Sequence, residues 1–417
     1  MVEYKKTILD NGLTILVNTD SNTPITAVNI LYRVGSKNED PEKTGFAHLF
    51  EHLMFGGSEN VPKYDIPLER AGGENNAFTN ADFTNYYLTL PTNNLETALW
   101  LESDRMLGLN FSQRSLDVQK QVVIEEFKQN YLNQPYGDVY LLLKPLAYKV
   151  HPYRWPTIGR EIAHIESATL EDVMDFYRKY YNPNNAILSV VGDVDPEQVF
   201  DRVKHWFGDI KPGKQLVADY SPEPVQTKPR HLSVYRPVPQ NALYMAWHMP
   251  SRLEQEYFVS DLISDVLSNG HSARLYQRLV KEKKLFTSIQ AFISGDIDNG
   301  LFIITGKLME GVTMEEAEAA IWTEITCFTD ELVSEEELAK IKNKMEANLI
   351  FSRMTVLNKA MNLCYFELLG DAAEINREFG HYQKISRNDL SEQAKRMFSR
   401  DSVNTLYYHA QHDKSEH

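Results

Sequence analysis

Cysteine is nearly missing from this chain. Only Cys327 and Cys364 occur among 417 residues. Each stands in an apolar, helix-like setting, so both read as buried free thiols rather than as a disulfide or a ligand pair. Long hydrophobic runs are missing too. No apolar stretch reaches the length of about 18 residues that a membrane helix needs, and none follows the Met-Val-Glu-Tyr-Lys-Lys start. The expectation is therefore no membrane association, no signal peptide and a cytoplasmic location. An excess of positive charge is also lacking. Lys and Arg number 43 against 58 Asp and Glu, for a net charge of −15. Phosphate binding needs a basic surface, so the charge argues against nucleic acid as a partner, and a solvated acidic surface accounts for it. What remains is ordinary for a globular protein, with 42% hydrophobic and 24% charged residues. The length predicts two or three domains with ample core.

One stretch organises the rest. Residues 44–57 read as a single helix ending on Gly56-Gly57, a pair suited to a left-handed C-cap. From Phe46 to Phe55 every residue is apolar except His48, Glu51 and His52. A helix that is apolar nearly all round belongs inside a protein. The three polar side chains lie at i, i+3 and i+4, so they share one stripe. Leaving even a neutral polar group unpaired there costs on the order of 2–7 kcal/mol. A metal ion removes that cost: two histidines at i and i+4 can present ring nitrogens to one zinc, with Glu51 beside it to accept a proton from water. His-x-x-Glu-His is a known zinc-hydrolase pattern, the inverse of His-Glu-x-x-His. A buried polar cluster without metal is the competing reading.

Along the chain, residues 7–9 and 13–17 flank Asp10-Asn11-Gly12 as a hairpin. Residues 26–34 alternate as a third strand. Residues 71–80 and 83–90 predict two strands joined by a polar turn. The first is rich in Gly and Asn, which marks either a weak edge or an edge left open for an extended peptide. Helices are predicted over 95–107 and 114–132, the second with Val118, Val122, Val123, Phe127 and Tyr131 as its apolar side. Glu126 follows Val122 and Val123 at i+4 and i+3, so it leans toward the buried face more than Glu125 does. It is the candidate third ligand, and an ordinary surface glutamate is the alternative. His151, in a loop beside Pro152, reads as structural. Asp195 predicts the N-cap of a helix over 196–207.

Residues 211–230 form the obvious linker, with Pro212, Gly213, Pro222, Pro224 and Pro229. The domains expected are 1–210, bearing the histidines, and 231–417. The C-terminal domain reads as a repeat of the N-terminal one. Residues 242–247 resemble the strand at 26–34, and 257–270 resemble the histidine helix in apolar pattern and terminal glycine. Aligning Gly270 with Gly57 sets Asp261, Ser264 and Asp265 opposite His48, Glu51 and His52, so the C-terminal half keeps the scaffold and lacks the motif. Ser334 and Glu337 predict a capping box opening a helix over 334–352. Strands followed by helices in each half indicate an α+β fold.

These residues together resemble the pitrilysin, insulin-degrading and mitochondrial-processing peptidase family. His48-Leu49-Phe50-Glu51-His52 matches its inverted zinc motif, and Glu126 falls at its third ligand. Asn76-Ala77-Phe78-Thr79, followed by Thr84-Asn85-Tyr86-Tyr87, is similar to its substrate-pairing edge strand. Gly192-Asp193 after an apolar strand, and the repeat, also fit. The resemblance implies two homologous domains, each a mostly antiparallel sheet covered by helices, forming half of a clamshell that closes around peptides as a dimer. It implies one Zn2+ per chain on His48, His52 and Glu126, with Glu51 as general base and Asn76, Ala77 and Phe78 pairing with substrate. Manganese or cobalt would suit the same ligands.

Two departures stand out. An acidic residue that many members carry seven positions before the third ligand is Gln119 here. The Arg and Tyr that bind substrate from the C-terminal half of many members read Val280 and Thr287. A metal-free homologous partner chain supplying that pair is therefore expected, with a homodimer as the other arrangement. A non-catalytic assembly subunit of the same fold is the alternative function.

Overall fold

The computed structural model describes residues 1–216 and 220–411. Residues 217–219 of the expected linker lie outside the described residues. The chain forms two compact units, neither drawn from one continuous segment. The first comprises 1–129, 155–220 and 349–377; the second comprises 130–154, 221–348 and 378–417.

The first unit is built on a six-stranded sheet: β1 (Lys5–Ile8), β2 (Thr14–Thr19), β3 (Ile25–Tyr32), β4 (Glu74–Thr79), β5 (Thr84–Pro91) and β6 (Ala186–Gly192). Their order is β1-β2-β6-β3-β5-β4, with β2 and β6 parallel and all other pairs antiparallel. The period-2 alternation of strands sorts side chains to two faces. Leu16, Ala27, Leu31, Ile187 and Val191 turn toward a helix, Val356–Leu368, whose Ala360, Leu363 and Cys364 complete that core. Ser189 donates to the Ala360 carbonyl at 2.7 Å, tying helix to sheet. Tyr32 and Tyr86 turn the other way and meet Tyr181.

The second unit repeats the plan with β7 (Arg230–Arg236), β8 (Ala242–His248), β9 (Phe286–Ile293), β10 (Leu301–Leu308) and β11 (Asn404–Ala410). Their order is β7-β11-β8-β10-β9, again with one parallel pair, β7 with β11. Strand for strand this matches β2-β6-β3-β5-β4, so the repeat read from residues 242–270 extends through the whole sheet. Its covering helix, Val139–Ala147, comes from before the linker and packs on β7, β8 and β11. The fold is mixed α/β, two mostly antiparallel sheets with helices around them. Cys364 is buried and Cys327 partly so, both free.

Several elements differ from the pattern reading. The histidine helix spans only Phe46–Leu53; a further turn follows, and Gly57 reaches positive φ (102°). The helix predicted over 114–132 runs Gln113–Phe127 and then widens to a π-type turn, Lys128–Leu132. Its buried side is Leu116, Val123, Ile124 and Phe127, whereas Val118 and Val122 are exposed. The capping box at Ser334 is half formed. Ser334 accepts the Glu337 N–H at 3.1 Å, but the Glu337 carboxylate goes to Arg274. A helix at Glu374–Gln383 has no counterpart in the sequence reading.

Candidate metal centre

Phe50 seats the histidine helix. Its ring lies 4.4 Å from that of Tyr181 and 5.6 Å from that of Phe176, and it is 1% exposed. Burying a side chain of that size contributes about 1.5–3 kcal/mol. Phe46, Ala47, Leu49 and Leu53 are buried as well, which leaves His48, Glu51 and His52 as the half-buried stripe. The helix Gln113–Phe127 packs against it and presents Glu126.

Three donor atoms converge, two from the histidine helix and one from the helix that carries Glu126. His48 Nε2 lies 3.3 Å from His52 Nε2. The Glu126 Oε2 atom lies 3.6 Å from His48 Nε2 and 3.5 Å from His52 Nε2. A tetrahedral zinc with bonds of about 2.0–2.1 Å has ligand–ligand edges of about 3.3–3.4 Å, so the donor set fits that ion. Among the described residues no other group of three His, Cys, Asp or Glu side chains gathers this closely. The rings stand nearly perpendicular, 4.8 Å apart at 84°. His48 Nδ1 is buried without a hydrogen-bond partner, so that ring's polar contacts run through Nε2. Burial holds the His48 pKa down at about 4, keeping the imidazole neutral. The hydrogen bond from His52 holds the Glu126 carboxyl below its ordinary value despite partial burial. A neutral imidazole at His48 and an ionised carboxylate at Glu126 are protonation states that suit a cation.

Glu51 sits between the two histidines in sequence and faces β4. Burial raises its carboxyl pKa, opposed by hydrogen bonds to the side chain and backbone of Thr79. Sequence reasoning missed Thr79 as a partner because nothing in a Thr at a strand end signals it. β4 is the edge of its sheet, paired on one side to β5. Its Ala77 N–H is bonded at 2.8 Å by the side chain of Asn76, and Phe78 is 38% exposed. Glu125 is an exposed partner of Lys128. His151 is not in the cluster; it is buried, 3.3 Å from Asp298. In the second unit Asp261 is half-buried and accepts from the Tyr382 hydroxyl at 2.7 Å, Ser264 bonds its own helix, and Asp265 bonds Asn269.

Comparison with known proteins places the chain in a family. The description "Insulinase (Peptidase family M16)" matches residues 14–158, and "Peptidase M16 inactive domain" matches residues 167–345. The zinc protease PqqE of Helicobacter pylori is 31% identical over 84% of this chain and 80% of its own length. A crystal structure of a protease from Helicobacter pylori superposes with a TM-score of 0.92 at 27% identity, covering 98% of this chain and 100% of that one. Pitrilysin superposes with a TM-score of 0.77 at 17% identity, covering 98% of this chain but 45% of its own, which shows the shared fold. The chain belongs to the M16 (insulinase and pitrilysin-like) peptidase family and has its single-half fold. Its relatives include proteins named as zinc proteases.

Proposed function

We propose that the chain is the catalytic subunit of a zinc metalloendopeptidase that hydrolyses peptides or unfolded segments. The observation that carries this reading is the meeting of His48, His52 and Glu126 at the edge lengths of a tetrahedral zinc site, next to an open strand edge. His48, His52 and Glu126 hold one Zn2+. When bound, zinc lowers the pKa of water toward about 7 and polarises a carbonyl. Glu51 takes the proton of the attacking water and passes it to the leaving amine, a role helped by a carboxyl pKa raised through burial. The substrate lies extended along β4, main chain to main chain, at Asn76, Ala77 and Phe78. The Asn76 side chain that now occupies the Ala77 N–H gives way to a substrate carbonyl.

Val280 and Thr287 carry the second part of the proposal. Val280 lies in a π-type turn and Thr287 in β9, where its hydroxyl bonds Gln240 and the Lys307 carbonyl. Neither offers the charge or the phenol that substrate binding from this half would use. The working enzyme is therefore a pair with a metal-free homologous chain, and the isolated chain has little peptidase activity. Robust cleavage by the isolated chain would contradict that pairing. Glu51→Gln tests the chemistry. In the assembled enzyme it is expected to keep its zinc and to lose at least about 100-fold in kcat. A variant that cleaves peptides as fast as the parent removes Glu51 from the mechanism. Unchanged zinc content in His52→Ala removes the metal site, and leaves a non-catalytic assembly subunit.

A further inference from the structure

The charged loop before the histidine helix holds a buried acid. Glu39 is 7% exposed and follows a short 3-10 turn, Ser36–Asn38. Its Oε1 accepts the Ala47 N–H at 2.8 Å and its Oε2 the Gly45 N–H at 2.9 Å. The Phe46 N–H and the Trp155 indole add to the same carboxyl, and Trp155 also donates to the Ser36 carbonyl at 2.9 Å. The first N–H groups of a helix have no partner inside it, and here one side chain from a neighbouring loop gathers them. Gly45 makes this approach possible: its φ is +89°, and a Cβ there would lie 2.6 Å from the Ile158 carbonyl oxygen.

Two acceptor atoms on one planar group fix more than the height of a helix; they also fix its rotation. A roll of about 10° carries a side-chain tip on a helix by about 1 Å. Metal–ligand distances tolerate about 0.2 Å. His48 is the third residue of this helix, directly after the anchored Ala47.

We propose that Glu39 is a positioning residue of the metal centre, setting the rotation of the histidine helix so that His48 and His52 both face Glu126. The inference rests on the zinc reading above. Both carboxyl oxygens accept a backbone N–H, the pattern of a carboxylate, and those donors oppose the burial that pushes the Glu39 pKa up to about 8. Gln keeps the shape but replaces one acceptor with an amide that opposes a backbone N–H.

The test compares Glu39→Gln with Asp82→Asn, whose carboxylate pairs with Lys37 of the same loop at 2.7 Å. His52→Ala checks the metal reading itself. Zinc affinity is read by competition with a chromophoric chelator, and the coordination sphere by the d–d absorption of the Co2+-loaded protein. Folding is checked by far-ultraviolet circular dichroism. Glu39→Gln is expected to weaken zinc binding about 10–100-fold and to diminish the Co2+ bands, while Asp82→Asn binds as the parent does. Parent-like binding by Glu39→Gln overturns the proposal, and so does equal weakening in Asp82→Asn. Should Glu39→Gln not fold, Glu39→Asp, with a shorter arm, takes its place, and the same two results would overturn the proposal. Zinc binding untouched by His52→Ala would overturn the zinc reading and this inference with it. Binding lost in His52→Ala but kept in Glu39→Gln overturns the inference alone.

Discussion

Stripping the protein with a chelator and returning zinc is the perturbation that tests the site most directly. The three donor separations are 3.3, 3.5 and 3.6 Å. Tetrahedral zinc asks for about 3.3–3.4 Å, so the largest adjustment is about 0.3 Å, within the roughly 0.5 Å that ordinary thermal motion covers. Zinc uptake therefore needs little rearrangement, and its binding energy adds to stability. At a free zinc concentration 100 times Kd the gain is about 2.7 kcal/mol. For a unit of about 150–250 residues each kcal/mol moves Tm by about 2–4 °C, so the shift expected is about 5–11 °C. Thermal melts followed by circular dichroism, with zinc titrated into the stripped parent and into His52→Ala, give the comparison. The variant should show no shift. A parent that melts at the same temperature with saturating zinc, or a variant stabilised equally, would refute the reasoning.

Two further expectations concern the frame around the site. Arg105 and Glu102 are each about 2% exposed and paired at 2.6 Å, with the guanidinium over the rings of Tyr86, Tyr64 and Phe55 at 4.5, 4.7 and 5.6 Å. Glu102→Gln is expected to cost about 3–5 kcal/mol in denaturant unfolding, and Glu102→Leu with Arg105→Met to recover most of it; a single-variant cost below about 1 kcal/mol would show the pair to be dispensable. In the second unit burial raises the Asp261 carboxyl pKa to about 6. Its folded value lies above its unfolded one, so its contribution is fully present below about pH 4 and fades as pH rises through about 6. The loss is about 3 kcal/mol. Asp261→Asn should remove that slope in urea titrations at pH 4 and 8, and an unchanged slope would contradict the assignment.

The candidate cluster was legible in the sequence because its two histidines are local and its scaffold is periodic. His48, Glu51 and His52 stand out as the polar members of an apolar helix, and Asp195 and Pro196 announce their helix to the residue. Glu126 emerges from a partly mistaken pattern. Val118 and Val122 read as a buried side but are exposed; the apolar face that packs is Leu116, Val123, Ile124 and Phe127. A helix wheel alone does not say which of two apolar stripes meets the core. Glu39 and Thr79 were illegible for another reason. Their importance comes from bonds to residues that only folding brings near, and an acid in a charged loop carries no pattern. The covering helix of each sheet was equally hidden, since an apolar helix does not name the sheet it will cover.

That last feature reaches into how the molecule can be cut. Separating the chain at the proline-rich stretch would send the helix Val356–Leu368 away from the strands carrying Leu16, Ala27, Leu31, Ile187 and Val191, and the helix Val139–Ala147 away from β7, β8 and β11. Each fragment would be born with one bare greasy wall and one orphaned cover. Neither piece should stay in solution by itself, whereas the two mixed during dilution from denaturant should rescue one another.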